Sequence, residues 1–385
     1  MEKLIVKNFG PIKEAEIDLT KYVVFIGDTS TGKSVLAKLI SIFRDSFLLL
    51  SLTDSFKVNV KDELKRYNIN FDINSAEIKY CEGDLVLCQL VDDQIFLVDV
   101  ELKHTNLNSV KTKLDNLVNE SALSQFIDFN KETFLKYSLN HFFKNRNSIY
   151  VPAERILFSL IGNSLSGLLA NNVALPECYK DFAAKYEVAR DEIREAKYEN
   201  FALSYGYNKG IDEVFVNDTK VLLSEASSGI QSLIPLLLVI DYEIKTNDVS
   251  FNYNKGIIIE EPELNLFPIK QKKLIDHIVS KVNGTKHKIV ITTHSPYILS
   301  SLDTLILAKN TFNEHPDLKE EINSIVSEDK WIDFDEISVY EVRNDGKVYS
   351  IKNEEFRSID TNAIDGVSDI ISEEFDKLTE LRYAQ

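Results

Sequence analysis

The octet Gly27-Asp28-Thr29-Ser30-Thr31-Gly32-Lys33-Ser34 fits the spacing G-x-x-x-x-G-K-[ST] of a phosphate-binding loop, and no other feature narrows the fold of this chain as far. It stands between an apolar run, Tyr22 to Ile26, and a stretch of helical periodicity, Val35 to Phe43. Strand, glycine loop and helix therefore follow one another in the order such a loop needs. The glycines let backbone amides close on phosphate oxygens, and the start of the helix adds its dipole. Lys33 is placed to reach the β and γ phosphates, and Ser34 to put a hydroxyl on Mg²⁺. ATP and Mg²⁺ are the expected ligands, and an α/β sheet is the expected scaffold.

Hydrolysis needs a second strand that carries carboxylates to the metal and to the attacking water. Lys255 to Ile259 is a continuous β-branched run, as expected of a strand buried on both faces, and it ends in Glu260-Glu261-Pro262-Glu263. Adjacent side chains at a strand end point in different directions. Glu260 is thus expected to hold Mg²⁺ through water, and Glu261 to polarise the nucleophilic water. A third such run, Lys288 to Thr292, leads into Thr293-His294-Ser295-Pro296. His294 follows Glu261 by 33 residues, room for one helix and a return strand of a parallel sheet, so its imidazole is expected beside the γ-phosphate. Ser227-Ser228-Gly229, with Gln231 just beyond, opens a hydrophobic helix over Ile230 to Glu243, after a hairpin around Asn217-Asp218.

Elsewhere, residues Leu4 to Leu19 alternate around Gly10-Pro11 as a half-buried antiparallel hairpin. Ala76 to Leu102 is strand-rich, Val110 to Phe143 has the pattern of an amphipathic helix, Ile149 to Pro152 is a short strand, and Arg155 to Asn200 reads as mostly helical with a break near Pro176. A hairpin around Asn344-Asp345-Gly346 and a polar helix over Val367 to Leu381 complete the chain. These patterns divide it into an ATPase core (1–50 and 224–303), an inserted strand and helix lobe (51–148), a helical lobe (149–223) and a C-terminal extension (304–385).

The formal net charge of −17 repels phosphate backbones and leaves nucleic-acid binding unsupported. Cys81, Cys88 and Cys178 are odd in number and lack zinc or disulfide spacing, which fits a reducing compartment. The apolar runs are shorter than the ~20 residues of a membrane helix, and the N-terminus lacks the pattern of a signal peptide. A cytoplasmic protein without a membrane segment is expected.

Taken in order, the phosphate loop, the Ser-Ser-Gly cap, the acid-ended strand and the histidine-ended strand resemble those of ABC-type ATPases of the SMC, RecF and OLD kind. The resemblance implies an ABC-type P-loop head with a mixed sheet, an N-terminal antiparallel hairpin and inserted β-rich and helical lobes. It makes Ser227, Ser228, Gly229 and Gln231 a signature motif that caps the γ-phosphate held by another copy. The chain would then form a dimer, or a higher homo-oligomer built on dimers. The stretch from Glu260 to Pro268, the strand into His294 and the segment Tyr150 to Arg155 are further similar to the compact ATPases of anti-phage systems such as PARIS and Septu. In that likeness Arg155 lies near the nucleotide or the protomer interface, and the ATPase is a switch for a separate effector protein, with a phage-encoded trigger. A RecF- or SMC-like DNA repair or recombination ATPase is the alternative.

The departures from the family pattern are specific. Asn265 and Phe267 stand where OLD-type proteins usually carry histidines, Thr29-Ser30 replaces the common Asn-Gly, and no glutamine is assigned to the Q-loop. Asp333-Phe334-Asp335 is the one echo of a TOPRIM nuclease pair and is expected to be surface, so no intrinsic nuclease is expected. A remodelling ring of the AAA+ kind is disfavoured, because its metal-binding acids lie closer to the phosphate loop.

Overall fold

The computed structural model describes residues 1–45, 58–91, 94–97, 148–161, 175–217, 219–245, 254–360 and 362–383. The helix expected over Val110 to Phe143 lies outside them. The N-terminal hairpin is β1 (Glu2–Phe9) and β2 (Ile12–Leu19), followed by β3 (Tyr22–Ile26) and helix α1 (Lys33–Phe43). Next come β4 (Val58–Asn59), α2 (Val60–Arg66), β5 (Glu77–Glu82), β6 (Leu85–Val91) and β7 (Gln94–Leu97). These strands do not stand apart from the hairpin: β5 pairs antiparallel with β1, giving one antiparallel sheet in the order β2-β1-β5-β6-β7-β4.

After β8 (Ser148–Val151) the chain forms α3 (Ile156–Leu160), α4 (Glu177–Ile193) and a small antiparallel sheet of β9 (Glu195–Tyr198), β10 (Leu203–Asn208), β11 (Ile211–Val216) and β12 (Thr219–Leu222). Helix thus ends earlier than its charge pattern suggests. Arg194 takes a left-handed φ of 51°, and Glu195 to Tyr198 pair with β10 as an edge strand. Alternation of charged Glu195 and Lys197 with Ala196 and Tyr198, which pack on the core, marks that strand.

The remaining elements are α5 (Ser228–Lys245), β13 (Gly256–Glu260), α6 (Pro268–Val282), β14 (Lys288–Thr293), α7 (Pro296–Glu314), α8 (Lys319–Ile325), β15 (Ile337–Val342), β16 (Val348–Ser350) and, after two further two-residue strands, α9 (Asn362–Tyr383). The central sheet runs β16-β15-β3-β14-β13-β8 and is parallel except at β16. Its strands split their side chains between two cores with period two. Ile257 and Ile259, Ile289 and Ile291, and Tyr22, Val24 and Ile26 pack with α4 to α7 on one face. Ile258, Val290, Val23 and Phe25 pack with α1 and the antiparallel sheet on the other. β15 comes from the C-terminal extension, yet it lies parallel to β3.

Candidate nucleotide site

β14 lies between the other two strands that matter: Glu260 is in register with Thr292, and Thr293 with Ile26. The phosphate loop, the acid loop and His294 therefore leave the same edge of the sheet side by side. At the loop's start Gly27 has a φ of 151°, and a Cβ there would collide with the backbone carbonyl of Val342 on β15. Only glycine meets both conditions. Thr31 Oγ1 donates to Asp28 O at 2.9 Å, and the Asp28 carboxylate accepts from Thr29 N at 2.6 Å. Lys33 is buried at the first position of α1 and curls back, its Nζ donating to Gly27 O at 2.9 Å and Asp28 O at 2.7 Å. Burial lowers its pKa, while Glu261, Asp28, Glu263 and Glu260 act in the opposite sense. One lysine thus sits in the field of all the site's acids. Ser34, the next residue, is half-buried.

Glu260 is buried at the end of β13, and among the described residues its Oε1 has no hydrogen-bond partner. Burial raises its pKa, opposed by the Lys38 ammonium and the Tyr150 and Ser34 hydroxyls beside it. A buried carboxylate with a spare oxygen next to a serine hydroxyl suits a hard cation that takes oxygen donors and completes its shell with phosphate and water. These residues fit Mg²⁺. Among the described residues no cluster of three or more His, Cys, Asp or Glu could hold a metal by itself.

Glu261 turns away from Glu260. Its backbone has a φ of 42°, a left-handed conformation costly for a residue with a Cβ, and its amide donates to Thr292 O at 2.9 Å. Its Oε1 lies 3.5 Å from Nε2 of His294. Glu263 fixes the other side of that pair by accepting from Thr293 Oγ1 at 2.7 Å and from His294 N at 2.8 Å. Ser295 caps α7 by accepting from Tyr297 N at 3.2 Å and donates to Gln271 on α6 at 2.6 Å.

The Ser-Ser-Gly segment sits elsewhere. Ser227 and Ser228 are exposed, Gln231 donates to Ser224 O at 2.8 Å, and among the described residues no hydrogen bond or ion pair joins Ser227 to Gly229 with the phosphate loop of the same chain. Gly229 lies against the acid loop, where a Cβ would come within 2.8 Å of Asn265 O. Arg155, which the resemblance places near the nucleotide or an interface, is wholly enclosed within its own chain. Its guanidinium donates to the carbonyls of Ser232 at 3.0 Å, Pro152 at 3.2 Å, Glu260 at 2.9 Å, Glu261 at 3.0 Å and Pro262 at 3.2 Å. Burial brings its pKa down to about 10, against the pull of Glu263, Glu261, Glu154 and Glu260. It meets the site through backbone rather than by offering a charge at a surface. Asp333 and Asp335 are held by Arg357, at 3.6 and 3.1 Å.

The contacts of three residues escaped the sequence reading. Lys38 follows Ser34 by four residues and so shares its helical face, a spacing that could have flagged it. Nothing in the sequence ties Glu263 to His294, or Tyr150 to Glu260, because those contacts exist only once β8, β13 and β14 are paired.

Residues 153–299 match the family described as AAA ATPase domain, a span that holds Ser227 to Gly229, Glu260, Glu261 and His294 and begins after the phosphate loop. The fold of the chain is similar to that of the SMC head domain with an extended coiled coil bound to the C-terminal domain of ScpA from Pyrococcus furiosus, at 11% identity and a TM-score of 0.40, covering 99% of this chain and 100% of that one. It is also similar to the SMC head domain from Thermotoga maritima, at 13% identity and a TM-score of 0.32, covering 78% and 90%. The ADP conformation of an ATP-binding cassette of an ABC transporter shares 11% identity at a TM-score of 0.36, covering 93% of each chain. No curated protein matches the chain in sequence. Among the described residues no helix is long and apolar enough to cross a membrane.

Proposed function

We propose that this chain binds MgATP and hydrolyses it at sites shared between two copies, and that the nucleotide-held assembly holds or releases a separate effector protein in anti-phage defence. The observation that carries the reading is the division of the site. Lys33, Glu260, Glu261 and His294 converge, whereas Ser227 and Ser228 are exposed and, among the described residues, have no bond to their own phosphate loop. A second copy would supply the missing cap. Lys33 would leave its carbonyl partners for the β and γ phosphates, and Glu260 with Ser34 would hold Mg²⁺, which neutralises charge on the leaving phosphate. Glu261 takes the proton of the water that attacks the γ-phosphorus while the bond to the β-γ bridging oxygen breaks. His294, fixed by Glu263, orients that water.

The defence role and the effector rest on the likeness of Tyr150 to Arg155, Glu260 to Pro268 and the His294 strand to anti-phage ATPases. The charge of −17 speaks against a polynucleotide as the partner. The test is light scattering of the Glu261→Gln variant with and without MgATP, alone and with the product of the adjacent reading frame. A nucleotide-dependent rise in mass to at least a dimer, and retention of the second protein only in that form, are expected. A mass unmoved by ATP would remove the shared site, and phage protection that persists without ATP binding would remove the switch.

A further inference from the structure

Arg155 has five N–H groups, and all five directions are used on backbone carbonyls. Three of those carbonyls, of Glu260, Glu261 and Pro262, belong to the acid loop. A fourth, of Ser232, belongs to the opening turns of α5, the helix that begins at the Ser-Ser-Gly cap. A second bond strengthens the same link. Pro235 within α5 has no N–H, so it leaves the carbonyl of Gln231 without its helical donor, and Ser159 Oγ donates to that carbonyl at 2.6 Å. One short segment, from Pro152 to Ser159, therefore grips the acid loop with one residue and the cap helix with two.

What the grip holds is strained. Glu261 keeps its left-handed backbone although nothing about a glutamate favours it, and its carbonyl is one that Arg155 binds. Gly229 packs against the next part of the same loop, at Asn265. We infer that Arg155 is a positioning residue: it fixes the Glu261 carboxylate toward His294 and couples the acid loop to the Ser-Ser-Gly helix, so that the water-activating group of one site and the cap offered to the other move as a unit. This rests on the proposed role of Glu261 in hydrolysis.

The test is a double-mutant cycle on steady-state ATP hydrolysis, with ATP affinity measured separately by titration. Arg155→Lys keeps a positive charge but not the planar fork. It should lower kcat by about 10²-fold, the loss typical of a reacting group misplaced by about an ångström, and leave ATP affinity within about threefold. In a Glu261→Gln background the same change should lower the residual rate by less than about threefold, since it acts through the group already removed. Pro262→Gly leaves Arg155 in place and loosens the backbone it holds, so it should show the same pattern even if the lysine variant does not fold. Equal losses in both backgrounds, for whichever variant folds, would show a merely structural arginine and overturn the inference. A Glu261→Gln enzyme as fast as the unaltered chain would instead overturn the role of Glu261 itself.

Discussion

The carboxylate of Glu261 and the imidazole of His294 stand 3.5 Å apart at the ends of adjacent strands, and backbone contacts hold each residue in place. Thr292 O fixes the backbone of Glu261, and Glu263 fixes the backbone of His294. The pair is thus aimed by its neighbours at a point where a water could meet both groups. Glu261→Gln should keep ATP binding and slow hydrolysis by about 10²- to 10⁴-fold, the usual loss on removing a positioned general base. His294→Ala should lose less, because the carboxylate remains. Single-turnover rates at saturating ATP measure both, and a larger loss in the histidine variant would reverse the two roles.

Lys33 donates through its ammonium to two loop carbonyls. The β and γ phosphates would replace them as charge-assisted partners. Lys33→Ala removes the ammonium that stands within the phosphate loop, so MgATP should bind too weakly to detect by isothermal titration. Unchanged affinity would remove the assignment of this loop to the triphosphate.

How much of this was legible in the sequence depends on the range over which each contact acts. Lys33, Ser34, Glu260 and Glu261 announce themselves because phosphate loops and acid-ended strands are local patterns, and the buried runs around them fixed the central strands. The β-rich stretch after residue 75 could be read as strands, but not its pairing to β1, since register across about seventy residues leaves no local trace. β15 was hidden for the same reason: Ile337 to Val342 alternates no more clearly than an edge hairpin would, and only pairing with β3 places it in the core sheet. The role of Arg155 was illegible because all of its partners are main-chain carbonyls, which carry no residue identity.

Glu260 makes the stability of the ligand-free protein depend on pH in a defined sense. Its pKa is raised by burial, so the folded chain holds the proton more tightly than the unfolded chain does. The stability from that proton is fully present below the ordinary glutamate value of 4.5 and is lost as pH rises through the higher folded value. Above that folded value the buried carboxylate, whose Oε1 has no hydrogen-bond partner among the described residues, opposes folding. Glu260→Gln should therefore stabilise the ligand-free chain by on the order of 1 kcal/mol at neutral pH, with a smaller gain near pH 4. It should also lose the extra stabilisation that Mg²⁺ adds to ATP. Thermal melts across that range, with and without MgATP, read both effects, and a variant no more stable than the parent at pH 7 to 8 would rule out this account of Glu260.

A shared site also has a signature that neither single variant can show. Ser227→Arg places a bulky cation on the exposed cap of α5, away from its own phosphate loop, so the variant should bind nucleotide normally and yet hydrolyse none as a pure sample. Lys33→Ala should be inactive for the opposite reason, having an intact cap and no nucleotide. When the two are mixed and assembled, a mixed pair has one site with both lesions and one with neither. Random pairing makes about half of the dimers mixed, each with one of two sites intact, so activity should return to about a quarter of the unaltered rate if the sites fire independently. The measurement is phosphate release from equimolar mixtures, with exchange of subunits verified by differently tagged chains. No recovery in a sample where mixed pairs are present would mean that each chain completes its own site, and that the outward face of Ser227 and Ser228 serves something other than a second copy.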